Sequence, residues 1–140
     1  VQRTLEGVHS GLYLLDKCLE VCDSQLFNYL TKEKKLPASI YAFPSVMTFS
    51  CCTPPLNEVL VLWDFFLAFG VHMNILCIVA QLILMRNQLL TSRSPMKLLR
   101  VFPPLNSRKV IVLTMELTAV LPNDLYEQLV RHPYESIDIA

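Results

Sequence analysis

Charge is scarce in this sequence. Asp, Glu, Lys and Arg make up 17% of its 140 residues, against about 25% in an ordinary soluble domain. The 12 basic and 12 acidic residues cancel, and the one tight basic group, Lys32, Lys34 and Lys35, is interrupted by Glu33. Nucleic-acid binding calls for a basic stripe. None is present, so nucleic acid is not an expected partner. Glycine is equally sparse, with three residues, all single. That excludes a phosphate-cradling glycine loop and a Gly-x-Ser-x-Gly nucleophile elbow. The cysteines, Cys18, Cys22, Cys51, Cys52 and Cys77, are odd in number and irregular in spacing, which argues against a disulfide framework. No second pair completes a zinc site around Cys18 and Cys22. Reduced, buried thiols in the cytosol are the expectation. The adjacent Cys51 and Cys52 point apart on a helix and lack a basic neighbour to activate them. His9, His72 and His132 have no metal-ligand spacing. No catalytic residue, metal or cofactor is assigned. The opening residues carry no apolar stretch of signal-peptide length.

What is abundant is apolar surface. Hydrophobic residues make up 53% of the chain, more than a domain of this size needs for its own core. Part of the surface is expected to be covered by the rest of a larger domain, a partner or a membrane. The start at Val1 reads as that of a fragment.

Periodicity places the apolar residues on helices. Over residues 5–22, Leu5, Val8, Leu12, Leu15, Leu19 and Cys22 recur at helical spacing behind a Thr4 cap, and Gly7 and Gly11 permit close packing. Asp23 caps a short helix with Leu26, Phe27, Tyr29 and Leu30, and the Lys32–Lys35 run is expected to be a solvated turn. Pro44 breaks residues 38–52 and starts a helix. Residues 55–69 form the most apolar helix. Leu56, Val59, Leu60, Trp63 and Leu67 lie on one face, and Val61, Leu62, Phe65 and Phe69 on the other. Such a pattern predicts burial on most sides, with Gly70 as the left-handed closing residue. A second buried helix follows over 74–90, with Ile75, Ile78, Val79, Leu82 and Leu89 inward. Residues 91–107 connect, with one helical turn near 96–100. Ser107 is expected to cap a helix over 108–121 with Val110, Leu113, Leu117 and Val120 inward, and Pro122 and Asn123 restart a last one bearing Leu125, Tyr126 and Leu129. Val110 to Leu113 has a strand's composition, but its flanks keep the helical period. The fold class is all-α, an irregular helical array.

Residues 65–85 contain no charge, which meets the length rule for a membrane span. Gly70, His72 and Asn74 interrupt the run. A stop and restart there would leave backbone groups unpaired in lipid, so two buried helices are expected instead of a span. Asp64 stands in the most apolar helix beside the only Trp. A buried carboxylate needs a partner, and an ion pair or a cap is expected for it.

Residues 54–70, with Pro55-Leu56 followed by Val59-Leu60-Val61-Leu62-Trp63-Asp64 and closing in Gly70, resemble the C-terminal signature of TBC domains, the GTPase-activating domains for Rab-type small GTPases. Upstream, Leu15-Asp16 through Leu26 to Leu30 resemble the preceding helix pair. Downstream, Ile78 to Leu82 and Leu89-Leu90 resemble the following helix. Blocks 4–9, 41–46, 72–77 and 98–105 resemble the mitotic-checkpoint branch, a two-component GTPase-activating protein that restrains mitotic exit or septation at the spindle pole. Most TBC domains carry Arg-Trp where this chain has Phe43-Pro44, so the usual Arg near the Trp-Asp segment is missing.

The resemblance implies a C-terminal TBC subdomain over residues 1–90, a helical extension over 91–132 and a loose tail over 133–140. Trp63, Asp64 and Gly70 are its structural signature. It implies a GTPase activator rather than an enzyme, acting through an arginine and a glutamine supplied in trans, an arginine finger being worth roughly 10³–10⁵ in rate. Both finger motifs are expected before Val1, and Gln2 lacks the Gly-Met that marks one of them. The implied partners are a small Ras-like GTPase, a scaffold subunit and the N-terminal half of the same domain. The implied location is cytoplasmic, at the spindle pole or cytoskeleton. A non-catalytic helical adaptor, with or without membrane association, is the alternative. Half a core is not expected to fold stably alone.

Overall fold

The computed structural model describes residues 4–133, and the expected loose tail lies almost wholly outside them. Among the described residues the regular elements are all helices, without strands. The elements are α1 (Thr4–Cys22), α2 (Ser24–Asn28), α3 (Ala38–Tyr41), α4 (Phe43–Met47), α5 (Leu56–Phe69), α6 (Met73–Leu84), α7 (Arg86–Thr91), α8 (Pro95–Arg100), α9 (Ser107–Thr118) and α10 (Asn123–Arg131).

Helix α6 is the axis of the fold. Every residue from Met73 to Leu82 is buried, because α1, α4, α5 and α9 all pack on it. Helix α1 is the second centre, touching α2, α3, α4 and α10 through the fully enclosed Leu14, Leu15, Cys18 and Leu19. Gly11 serves this packing. A methyl group there would lie 3.0 Å from the Val46 side chain and 3.2 Å from that of Ile75, whereas Gly7 has open space. Helices α9 and α10 close the same core, which runs without a break from Val8 to Leu129.

Local rules explain most boundaries, and several depart from expectation. Asp23 caps α2 by accepting from the Leu26 N–H at 3.2 Å. The basic run does not begin as an open turn: Lys32 and Glu33 belong to one wide helical turn, Tyr29–Glu33, that prolongs α2. The helix expected over 74–90 breaks at Met85 into α6 and α7. Asn106, not Ser107, caps α9, accepting from the Lys109 N–H at 3.1 Å. Ser107 instead donates through its N–H and hydroxyl to Glu58, at 3.0 and 3.2 Å. That anchors the start of α9 to α5. On α9, Val110 and Leu117 face inward with Thr114, while Val120 is exposed. Thr114 is tolerated in the core because its hydroxyl bonds the Val110 carbonyl at 2.6 Å.

Asp23 also holds the Arg86 guanidinium at 2.7 Å, joining the start of α7 to the start of α2. Asp23→Asn keeps a capping oxygen and loses the ion pair, while Asp23→Ala loses both. Urea unfolding is expected to place Asp23→Ala below Asp23→Asn by about 1 kcal/mol, the usual worth of a cap.

Candidate functional site: the outer face of α5

Helix α5 is short of cover. Val59, Leu62, Phe65 and Phe66 face inward. Leu56, Leu60, Trp63 and Leu67 do not, with exposures of 64%, 51%, 39% and 83%. Their spacing of four, three and four residues sets them in one stripe along the helix. The expectation that this helix would be buried on most sides fails, since only one side meets the other described residues. Val61 and Phe69 are exposed as well.

The turn before α5 extends the stripe. Phe49 and Ser50 adopt left-handed φ angles of 52° and 67°, costly for a bulky side chain. Three hydrogen bonds hold them there. The Trp63 indole N–H donates to the Phe49 carbonyl at 2.9 Å. The Ser50 hydroxyl donates to Asn74 Oδ1 at 2.7 Å, and Asn74 Nδ2 donates to the Ser45 carbonyl at 3.2 Å. Asn74 and Ser50 are both buried, so this polar link is shielded from water. Phe49 is thereby held half out of the surface beside Trp63. Together with Phe66, Leu67 and Val71 the two line an apolar hollow of about 190 Å³.

Asp64 is not the buried carboxylate expected. It is exposed, with no hydrogen-bond or ion-pair partner among the described residues, and it stands next to the apolar stripe. Gly70 closes α5 as expected, though at φ 117° and ψ 145° rather than in the helical left-handed well. A side chain there would sit 2.5 Å from the His72 ring. Trp63, Asp64 and Gly70 are thus brought to one helix but to three separate tasks: bracing a turn, bearing an open charge, and turning the chain.

A half-buried carboxylate lies elsewhere, at Asp16. It accepts the Ala38 N–H at 3.1 and 3.3 Å, capping α3 from α1. Burial pushes its pKa from 3.8 to about 6, against the opposing pull of that hydrogen bond and of Lys17. The nearby Tyr41 hydroxyl is enclosed without a hydrogen-bond partner among the described residues. No apolar periodicity marks Asp16, and only its place in a resembling block singled it out.

Two of the three histidines are packed into the fold. His9 is exposed. His72 Nε2 meets the Tyr126 hydroxyl at 3.1 Å, and His132 Nδ1 lies 2.6 Å from the Leu129 carbonyl. Burial lowers both pKa values, and for His72 the nearby His132 adds to the effect. The thiols divide. Cys18 and Cys77 are buried as expected, Cys22 is half-buried, and Cys51 and Cys52 are exposed, contrary to expectation. Burial holds Cys77 up at about 12. Among the described residues no His, Cys, Asp and Glu cluster has metal-binding geometry, and no helix is long and apolar enough to cross a membrane.

Asp16 has a readable pH signature. Its folded pKa lies above the unfolded value, so the folded state binds more protons between pH 3.8 and about 6. Its contribution to stability therefore grows as pH falls through 6 and fades as pH rises. Denaturant titrations of Asp16→Asn between pH 4 and 7 are expected to lack that component of the slope.

Comparison with known proteins follows this geometry. Residues 1–90, which include α5 and α6, match the family model of the Rab-GTPase-TBC domain. The chain is 52% identical over 132 residues to cell division control protein 16 of Schizosaccharomyces pombe, covering 94% of this chain and 44% of that protein. It is 42% identical over 136 residues to the putative mitotic check point protein BUB2 of Dictyostelium discoideum, covering 97% of this chain and 37% of that protein. It is also 42% identical over 130 residues to the mitotic check point protein BUB2 of Saccharomyces cerevisiae, covering 93% and 42%. The chain thus spans less than half the length of these relatives. No solved structure matches it. By the match over residues 1–90 and the identity along nearly the whole chain, the chain belongs to the Rab-GTPase-TBC domain family.

Proposed function

We propose that this chain is the C-terminal scaffold of a GTPase-activating protein that stimulates GTP hydrolysis by a small Ras-like GTPase in the control of mitotic exit or septation. What carries this reading is the family match over residues 1–90, joined to 42–52% identity with proteins named for cell division control and the mitotic check point. The arginine and glutamine that act on the nucleotide come from a part of the full-length protein outside this chain. Residues 1–90 supply the platform, and residues 91–132 form an extension on it. The two-component form of the mitotic-checkpoint branch adds a scaffold subunit and a place of action at the spindle pole.

The outer face of α5 is where the remainder of the domain docks. More than half of each relative's length lies outside the matched region, enough chain to cover it. An uncovered stripe of four large apolar side chains is otherwise a liability in a soluble protein. Phe49, Trp63 and Leu67 would seat an apolar side chain of that segment in their hollow.

Single-turnover GTP hydrolysis by a panel of GTP-loaded small Ras-like GTPases tests the activity. The full-length protein is expected to accelerate one of them by roughly 10³-fold or more. Leu60→Glu with Leu67→Glu is expected to remove at least 90% of the effect, by prising the fingers' segment off its platform. No acceleration of any GTPase by the intact protein would leave the adaptor reading in its place.

A further inference from the structure

A groove of about 230 Å³ runs between the end of α6, the start of α7 and the 102–110 segment. None of its lining residues belongs to α5. Its far wall belongs to the extension beyond residue 90, where the family match ends. Family membership therefore does not account for it.

The groove's chemistry is one-sided. Gln81 lines it, yet Gln81 is buried and its Nε2 has no hydrogen-bond partner among the described residues. A buried amide donor left unpaired is rare in a finished structure and asks for an acceptor. Lys109 contributes the only charge among the lining residues, and no Asp or Glu is among them. Gln88 and Asn106 add exposed amides, and the Asn106 oxygen is already committed to the α9 cap. The remaining walls are apolar, from Met85 on one side to Phe102 and Pro104 on the other.

The groove is also pre-built. Pro103 and Pro104 fix the backbone of the wall and bring no N–H of their own. The Leu105 N–H donates to the Pro54 carbonyl at 2.9 Å, and Ser107 is tied to Glu58. An incoming segment meets a wall that needs no ordering.

We propose that this groove is a docking site for an acidic, partly apolar peptide segment of a partner protein, whose carbonyl or carboxylate oxygens are held by the Gln81 amide and the Lys109 ammonium. Charge complementarity decides the occupant. A cation and spare donors without a carboxylate fit an acceptor-rich strand, while Phe102, Pro104 and Met85 take its apolar side chain. One cation is too few for a nucleic-acid backbone, which would need a basic stripe. This site stands independently of the GTPase reading, since α7 and α9 can hold a peptide whether or not the full protein activates a GTPase.

The test is selection of a random dodecamer display library on the full-length protein, followed by fluorescence anisotropy of labelled winners. Enriched peptides are expected to carry Asp or Glu beside an apolar residue. Lys109→Glu is expected to weaken them at least tenfold, and Gln81→Leu about fivefold. Gln81→Leu removes an unpaired amide, so its melting temperature is expected to hold or rise. A purely structural Gln81 would instead lower the melting temperature and leave affinity unchanged. Failure to enrich any peptide, or winners indifferent to both variants, overturns the proposal. So does a tenfold gain in affinity on deleting residues 134–140, which carry Glu135 and Asp138, because the occupant would then be the chain's own tail.

Discussion

The constraint on which this structure turns is that two neighbouring helices are apolar on nearly every side, and only one can be central. Helix α6 takes that place, enclosed by α1, α4, α5 and α9. Helix α5 is left with one face inward and one stripe of large side chains in water. Helix α9 packs on α6 and also on the inner side of α5. Among the described residues nothing covers that stripe.

Much of this was legible in the sequence, and the failures share a cause. Helical periods located α1, α5 and α9 within a few residues, because each repeats apolar positions over three or more turns, and they found the start of α6. Asp23, Pro44 and Gly70 marked ends through local chemistry alone. Periodicity does not say which of two apolar helices is the centre, so α5 was expected to be enclosed and Asp64 with it. Once the Trp63 face turns outward, Asp64 needs no partner and has none among the described residues. The choice of Asn106 over Ser107 as cap was equally hidden, because both residue types cap well. Only the distant Glu58 decides it, by taking both Ser107 donors.

The polar network is small and placed at joints. Asn74 crosses from α6 to the strained Phe49–Ser50 turn. Trp63 braces the same turn from α5. Asp16 starts α3 from α1, and Asp23 joins α2 to α7. In a chain with so few charges, each of these fixes the position of an element that apolar packing alone would leave free to slide. The turn was invisible in the sequence because positive φ at Phe49 and Ser50 goes against residue preference. It exists only where tertiary bonds impose it.

Hydroxyl-radical footprinting of the full-length protein measures the cover on α5 most directly. With the remainder of the domain docked there, Trp63 and Leu67 are expected to be protected, while other exposed residues such as Val101 and Val120 react freely. Leu67 and Trp63 reacting at the rate of those exposed residues would contradict the docking of any further segment on α5.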